Sequence, residues 1–476
     1  MSVEARILSS SGRRQATMAL MIATAMQAFD TTIANVALPQ LEQSLGGGIE
    51  LGSWVMTSYL CASAIMATLT GWLRRRYGAR PLLIGSIGLF IIASGLCSIA
   101  PSSVALIQFR LVQGTAAGVI QPLAQAILLD IYPQRDHGRM LAIWGATIMA
   151  GPILGPILGG IIADLSSWRW IFVLNVPLGL IAILGLGQMP TTIESTAKAR
   201  IDGIGLALLI IGVGSLQLAL QRMIGQTWPL STETAVEAAV AIFAFAGIAI
   251  RSFRSQFTLF KFQVFLNLNF SAAVFYNFLV GALLFTTIVF LPALSEGPLG
   301  YDATQAGLAL SPRGIATMAT MLAVHYLIDR VDHRALLGTG IVITAGALVL
   351  MSRVPPDGGA LWLAAASAIQ GVGVGLLFTP LSTLAFSTLG AELRTDAAGV
   401  YSLLRQLGCA TGVAVMTALL QARIHGNSLP MFDPSARVFA AYTSCFRTMA
   451  IITAITLPGI LLFRALRPEA AAPRAA

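Results

Sequence analysis

The chain has 476 residues, of which 56% are hydrophobic and only 10% charged, with a mean hydropathy of +0.80, whereas a soluble domain carries about 25% charged residues. This excludes an ordinary soluble protein and leaves a polytopic membrane protein built from spans of about 20 residues and short loops. The net charge of +9 does not argue for a nucleic-acid partner, because the arginines fall in short clusters between apolar segments and read as topology signals.

In chain order, apolar segments of spanning length run over 15–38, 51–72, 81–100, 104–126, 140–163, 170–188, 202–221, 234–252, 270–292, 305–327, 335–352, 360–387, 399–420 and 445–464. The expected fold is therefore all-α, with fourteen transmembrane helices. Arg13 and Arg14 precede a first segment too long for a signal peptide and without a small-residue cleavage site, so it reads as a retained helix. An even number of spans puts both termini on one side. Placing them in the cytoplasm of a cell whose inner membrane holds the chain gathers Arg74, Arg75, Arg76, Arg80, Arg135, Arg139, Arg251, Arg254, Arg330, Arg334 and Arg394 inside. The longest outer connection, 421–443, has room for a small ordered feature. The inner connection 251–269 is basic and aromatic, which fits either a surface helix or a plain joining loop.

The segments repeat. Gln113, Gly114, Gly118 and Pro122 in segment four recur as Gln370, Gly371, Gly375 and Pro380 in segment twelve. The basic loop at Arg74–Arg76 has its counterpart in Asp329 and Arg330. Both pairs are eight segments apart and keep the same orientation, which divides the chain into an N-terminal six-helix bundle (1–201), two extra helices (202–252) and a C-terminal six-helix bundle (253–476). Parallel repeats with a site at their interface mark a transporter.

Asp30 is the costliest residue in the first segment, since a carboxylate in the apolar layer costs about 2.5 to 3.5 kcal/mol or more. Counting inward at about 1.5 Å per residue puts Asp30 about 12 Å and Arg110 about 9 Å below the outer surface. Similar depth makes them an expected pair, direct or bridged. Helical spacing puts Gln27, Asp30, Ala34 and Ala37 on one face, and Arg110, Gln113, Gly114 and Ala117 on another. An acid whose surroundings change with conformation can couple proton flow to transport. Asp30 is thus the expected proton-coupling residue and Arg110 its partner, against the alternative of a static pair pinning two helices. Gln27, Thr31, Asn35, Gln113 and Gly114 are expected around the substrate cavity and its gates, together with two further arginines. Arg313 lies deep with no acid near it in sequence and is expected either to face the cavity or to meet an acid from elsewhere in the fold, rather than to face lipid. Arg405, about 9 Å from the inner end of its segment, either gates or snorkels to the interface.

Segment five carries Gly151, Pro152, Gly155, Pro156, Gly159 and Gly160. Glycines at four-residue spacing let another backbone pack closely, and prolines allow bending, so this stripe is expected to slide against a neighbour. No phosphate-binding loop, nucleophile with a base, or metal-ligand cluster is present in the sequence. Neither an enzyme nor a cofactor is expected, and the four cysteines read as small apolar residues.

Together these stretches resemble the major facilitator superfamily, and within it the fourteen-helix drug:proton antiporters of the multidrug-resistance protein B type. Gln27 to Pro39, with Asp30, Thr31 and Asn35, is similar to that group's first-helix signature. Gly71, Leu73, Arg76, Gly78 and Arg80 match the loop motif between helices two and three, which recurs in part at Asp329 and Arg330. Arg110, Gln113 and Gly114 match the fourth-helix motif. Gly151, Gly155, Pro156, Gly159 and Gly160 match the antiporter motif, where Ala142 replaces its first glycine. Trp168 to Phe172 with Asn175 and Pro177, Ser311 to Gly314, and Arg405 with Gly408 and Gly412 also resemble the subfamily. The resemblance implies proton-coupled export of hydrophobic or amphipathic small molecules by alternating access, with lipid around the chain. In a two-membrane cell it implies a periplasmic adaptor and an outer-membrane channel as partners. Export of one endogenous metabolite, or a receptor that has lost transport, are the competing readings. One departure stands out: the loop motif usually carries an acid that latches the inner gate, and Arg75 occupies its place. His325 stands where the second copy of the motif would have glycine.

Overall fold

The computed structural model describes residues 10–45, 48–165, 167–188, 202–223, 231–254, 262–301, 303–328, 330–355, 359–425 and 434–463. Among them there is no strand. Fifteen α-helices follow one another: α1 (Ser10–Leu45), α2 (Gly48–Tyr77), α3 (Ala79–Ser98), α4 (Ser103–Ile131), α5 (His137–Leu165), α6 (Arg169–Val173), α7 (Asn175–Gly185), α8 (Gly203–Met223), α9 (Thr232–Arg254), α10 (Leu268–Glu296), α11 (Ala303–Leu327), α12 (His333–Ser352), α13 (Ala360–Ser387), α14 (Ala391–His425) and α15 (Pro434–Ile455). The helices α6 and α7 form one apolar segment parted at Leu174, because Pro177 has no N–H to offer the carbonyl of Val173 one turn back. With these two taken as one, the described residues form fourteen helical segments, ten of which are long and apolar enough to cross a membrane.

Several helices overrun the apolar stretches that announced them. Apolarity marks only the lipid-facing length, whereas backbone hydrogen bonding carries a helix on into polar sequence. Thus α1 extends to Leu45 and α14 begins at Ala391, its first turns hidden in sequence by Glu392, Arg394 and Asp396. The expected outer loop 421–443 is mostly helix, since α14 ends at His425 and α15 starts at Pro434. In the inner connection, α9 ends at Arg254 and a 3-10 turn covers Phe262–Leu266.

Packing repeats as the sequence does. In the first half α1 packs on α5, α2 on α4, and α3 on α4 and α7. In the second, α10 packs on α14, α11 on α13, and α12 on α13 and α15. The extra helices α8 and α9 pair with each other, and α8 leans on α2 and α14. Small residues set the closest approaches: a Cβ on Gly114 would run into the carbonyl of Tyr59, and one on Gly371 into the carbonyl of Arg313. One turn on, Gly118 meets the carbonyl of Ser63 and Gly375 that of Thr317. These contacts fix a residue-level correspondence between the α2–α4 and α11–α13 pairs.

The halves meet through α5 on α11 and α14 on α2. At the end carrying Arg74, Arg75 and Arg394, one buried apolar cluster runs through both halves, from Leu20 and Ile127 to Phe378 and Tyr401. At the opposite end each half has its own: Ile33, Trp168 and Phe172 in one, Phe290, Leu348 and Phe446 in the other. Among the described residues, shared packing joins the halves at the arginine-rich end, and the clusters at the other end stay within one half each.

Candidate functional site

The first half holds a sealed polar cluster. Asp30 on α1 is 2% exposed and Arg110 on α4 fully buried, and Arg110 Nη1 donates to Asp30 Oδ2 at 2.7 Å. Gln113, one turn from Arg110, donates through Nε2 to Asp30 Oδ1 at 2.9 Å and accepts from Arg110 Nη1 at 2.7 Å. Asn175, at the start of α7, donates to Asp30 Oδ1 at 2.8 Å. Gln113 and Asn175 also both donate to Ser94 Oγ on α3, each at 2.8 Å. Four helices thus converge on one carboxylate. The remaining guanidinium nitrogens of Arg110, Nε and Nη2, have no hydrogen-bond partner, but the group lies 4.2 Å from the Tyr59 ring centroid and 5.7 Å from that of Phe172, where aromatic faces attract a cation. Gln27 donates to the Tyr59 hydroxyl at 3.4 Å. Thr31 bonds the carbonyl of Gln27 and lies 3.4 Å from the same hydroxyl. The side chain of Asn35 falls outside those described.

Asn175, Ser94 and Tyr59 escaped the sequence reading as members of this cluster. Asn175 was visible only within a longer aromatic motif, and Ser94 and Tyr59 look ordinary in apolar helices. A polar residue on each of α3 and α7 at the depth of Asp30 was the available signal.

The second half has a counterpart with different contents. Gln370 on α13 donates to Thr287 Oγ1 on α10 at 3.1 Å, as Gln113 donates to Asp30, so Thr287 stands in the place of the acid. Ser367, three residues before Gln370, corresponds to Arg110, and the glycine contacts match Arg313 to Tyr59. Arg313 is 8% exposed and donates through Nη2 to the carbonyl of Leu284 at 3.1 Å. Near it Tyr276, Leu283, Leu284, Thr344, Gln370 and Thr453 line a narrow cleft with about 20 Å³ of space.

The closed end carries side-chain bonds between the halves. Arg75 on α2 pairs with both carboxylate oxygens of buried Asp396 on α14, at 2.8 and 2.7 Å. Gly71, one turn earlier, leaves the room that the Asp396 side chain fills. Arg74 bridges Asp130 on α4 and Thr395 on α14, each at 2.6 Å. Arg394 donates to the carbonyl of Leu129 at 3.3 Å. The missing loop acid therefore does not leave this end unlatched. The polarity is reversed, with the cation on α2 and the acid on α14. Asp396 and Asp130 were missed because acids near predicted loops look like ordinary solvated residues.

The other expected residues divide. Arg405 does not snorkel. It donates to Gln121 Oε1 on α4 at 2.9 Å, and because α14 starts at Ala391 it lies about 21 Å along the helix. Gly151 and Gly155 pack on α1 of their own half, against Ala28 and Thr32, and Thr32 donates to the carbonyl of Gly151 at 3.0 Å. They hold the helix carrying Asp30; the α5 glycines facing the other half are Gly138, against Ile328, and Gly145, against Phe378 and Met321. Pro152, Pro156, Gly159 and Gly160 lie in α5 with side-chain surroundings outside those described. Gly78 has φ +82°, a left-handed conformation open to glycine, and turns the chain from α2 to α3. Arg80 donates to the carbonyl of Gly187 at 2.6 Å. Arg76 and Arg330 are exposed, while Asp329 and the side chain of His325 lie outside the described residues. Among the described residues no cluster of metal-ligating side chains occurs.

The family description "Major Facilitator Superfamily" matches residues 20–413. The "Multidrug export protein EmrB" of Haemophilus influenzae is 36% identical over 417 residues, covering 87% of this chain and 82% of that protein. The protein of the same name in Escherichia coli K12 is 36% identical over 429 residues, covering 88% and 84%. Among solved structures, the human organic anion transporter MFSD10 matches with a TM-score of 0.66 over 95% of this chain and 99% of that one, at 16% identity, a likeness of fold. The chain is a multi-pass membrane transporter and belongs to the Major Facilitator Superfamily, within the group of EmrB-type export proteins.

Proposed function

We propose that this transporter is a secondary active exporter, exchanging protons for hydrophobic or amphipathic small molecules by alternating access. The observation that carries this reading is the carboxylate of Asp30, held by Arg110, Gln113 and Asn175. Its hydrogen bonds come from α4 and α7, so uptake of a proton is coupled to how these helices sit against α1. The printed names of the relatives, multidrug export proteins, support export and a varied substrate set. The moving units are the six-helix bundles 1–201 and 253–476, with 202–252 as two extra helices between them. The arginine-rich end lies in the cytoplasm of a cell whose inner membrane holds the chain, as do both termini. The conformation is then outward-facing, with the inner gate closed by Arg75–Asp396 and Arg74–Thr395. Where a second membrane exists, an adaptor and an outer-membrane channel complete the path.

The test is proton release from purified protein in weak buffer on addition of a transported drug, read with a pH dye. Wild type releases protons, and Asp30→Asn neither releases them nor drives drug efflux from proteoliposomes under a pH gradient. Release from Asp30→Asn equal to that from wild type would remove Asp30 from the coupling role.

A further inference from the structure

The connection from α4 to α5 is where the two halves touch again at the closed end. Pro133 stops α4 there, because it has no N–H to offer the carbonyl of Leu129 one turn back. That carbonyl is left for other donors, and Arg394 on α14 reaches it through Nη1 at 3.3 Å. Next along the connection, Gln134 donates through Nε2 to the carbonyl of Ser387 at the end of α13, at 3.2 Å. Two hydrogen bonds between the halves therefore land on one short turn. His137, the first residue of α5, holds that turn from within. It is 4% exposed, and its Nε2 lies 3.0 Å from the carbonyl of Tyr132. A carbonyl can only accept, so Nε2 carries the proton of the neutral ring.

His137 precedes the apolar stretch of α5, and its surroundings disfavour a charge. Burial pushes the imidazole below the usual histidine range and the Arg394 guanidinium adds to this, while the carbonyls of Tyr132 and Leu129 and the Asp130 carboxylate oppose them. Asp130 is itself bound by Arg74 at 2.6 Å. The other charged groups on the packed elements are Arg13 on α1, over the Tyr132 ring at 5.7 Å, Arg75 on α2, held by Asp396, half-buried Asp136 before α5, and exposed Arg76, Arg139, Arg330 and Glu392. The side chain of Arg135 lies outside those described. A proton on His137 puts a second cation beside Arg394, and the two then compete for the carbonyl of Leu129. Opening this end exposes the ring and removes the burial penalty, so the open form binds the proton more readily. By linkage the closed form keeps its full advantage above the pKa of the ring in the open form and loses it as pH falls through that value.

We propose that His137 is a cytoplasmic pH sensor of the inner gate: as the cytoplasm acidifies, the ring takes up a proton, displaces Arg394 from the end of α4 and loosens the hold of the α4–α5 connection on the second half, so that the transporter shifts toward its inward-open form. The inference goes beyond the export reading and rests on it only in placing this end in the cytoplasm. His137 is separate from the cluster around Asp30. Its proton sets how often the inner gate opens, not what is exchanged.

The experiment measures the distance between spin labels on Tyr77→Cys and Leu266→Cys, exposed positions at this end in the first and second half, with Cys61, Cys97, Cys409 and Cys445 replaced. The protein sits in lipid nanodiscs at about pH 8 and about pH 5.5, a range that spans the ordinary titration of histidine. With His137 present, the long-distance population, open at this end, rises about two- to fivefold on acidification. His137→Gln keeps an amide donor for Tyr132 and cannot titrate, so its population stays the same at both pH values. Arg394→Gln is more open at the higher pH and shows a smaller step. Asp30→Asn keeps the full step, so a failure of proton coupling at Asp30 leaves this result intact. A step that survives in His137→Gln, or no step with His137 present, overturns the proposal. A step lost in Asp30→Asn also overturns it, by assigning the response to that carboxylate. If His137→Gln fails to fold, Arg394→Gln decides, and a step there as large as with Arg394 present removes the competition on which the sensor depends.

Discussion

The two halves share a helix arrangement and differ in their interiors. In the first, a carboxylate, a guanidinium, two amides and a hydroxyl bond one another around Asp30. In the second, Thr287 stands where the acid was, Ser367 where the arginine was, and a cation appears one helix over at Arg313. The glycines that bring the paired helices together are shared by the two repeats, so the backbone tolerates either filling. Packing of α2 on α4 or α11 on α13 is the duplicated framework, and the polar contents are what each half has specialised. The first half is closed on itself and suits a group that changes protonation. In the second a neutral hydroxyl, that of Thr287, accepts from Gln370 where a carboxylate accepts from Gln113 in the first.

The largest effect should come from breaking the closed cluster from one side. Arg110→Gln leaves Asp30 buried without its cation, and loss of one partner of a buried pair costs about 3 to 5 kcal/mol. Thermal unfolding in detergent should show a clear fall in Tm, and adding Asp30→Asn should recover most of it while transport stays absent. If Arg313→Gln produced a fall as large, the contrast between a paired and an unpaired cation would be wrong.

The duplicated framework should respond equally in both halves. Gly114→Val and Gly371→Val each force a side chain against a backbone carbonyl, and overpacking of this kind costs about 1 to 3 kcal/mol. Matched losses in unfolding midpoint would support the residue correspondence, and a loss in one half alone would break it.

The hydroxyls at the two sites separate more finely. Ser94 accepts from both Gln113 and Asn175, so Ser94→Ala strands two buried donors and should cost about 1 to 2 kcal/mol. Ser367 has no partner, so Ser367→Ala should change stability by less than about 0.5 kcal/mol. Urea or thermal melts of the two variants side by side measure the difference.

Much of the architecture was legible because membrane insertion forces long apolar runs, and the repeat was legible because glycines and a glutamine recur at fixed spacing. Asp30 and Arg110 could be matched by depth alone, since a helix rises by a constant amount per residue. What stayed hidden was lateral. Depth counting does not say that Asn175 and Ser94 reach the same carboxylate, nor that Gly151 and Gly155 turn to α1 rather than across to the other half. Helix ends were hidden where charge interrupts apolarity, at Glu392 to Asp396 and around Arg437. That is why Arg405 was read as near an interface, and why Asp396, the acid that answers Arg75, was not seen.

The closed end is asymmetric too, and this gives the smallest but most specific prediction. Where α14 meets α2 the halves are joined by Arg75–Asp396, whereas at the equivalent meeting of α5 and α11 the contact is apolar, Ile328 against Gly138. Arg75 is about one-third exposed, so solvent screens the pair, and its contribution should be near the upper end of the 0.2 to about 1 kcal/mol typical of accessible pairs. Arg75→Glu should therefore raise the population open at this end about two- to five-fold, and Arg75→Glu with Asp396→Arg should return it toward wild type by restoring opposite charges in exchanged positions. The measurement is the labelling rate of a cysteine placed at Ala67, which lies under Gly399 at this contact, in a background with Cys61, Cys97, Cys409 and Cys445 replaced. Rates that rise in the single variant and stay high in the charge-exchanged double would show that Arg75 acts there through packing rather than charge, and the latch would have to be reassigned to Arg74, whose bonds to Asp130 and Thr395 span the same interface.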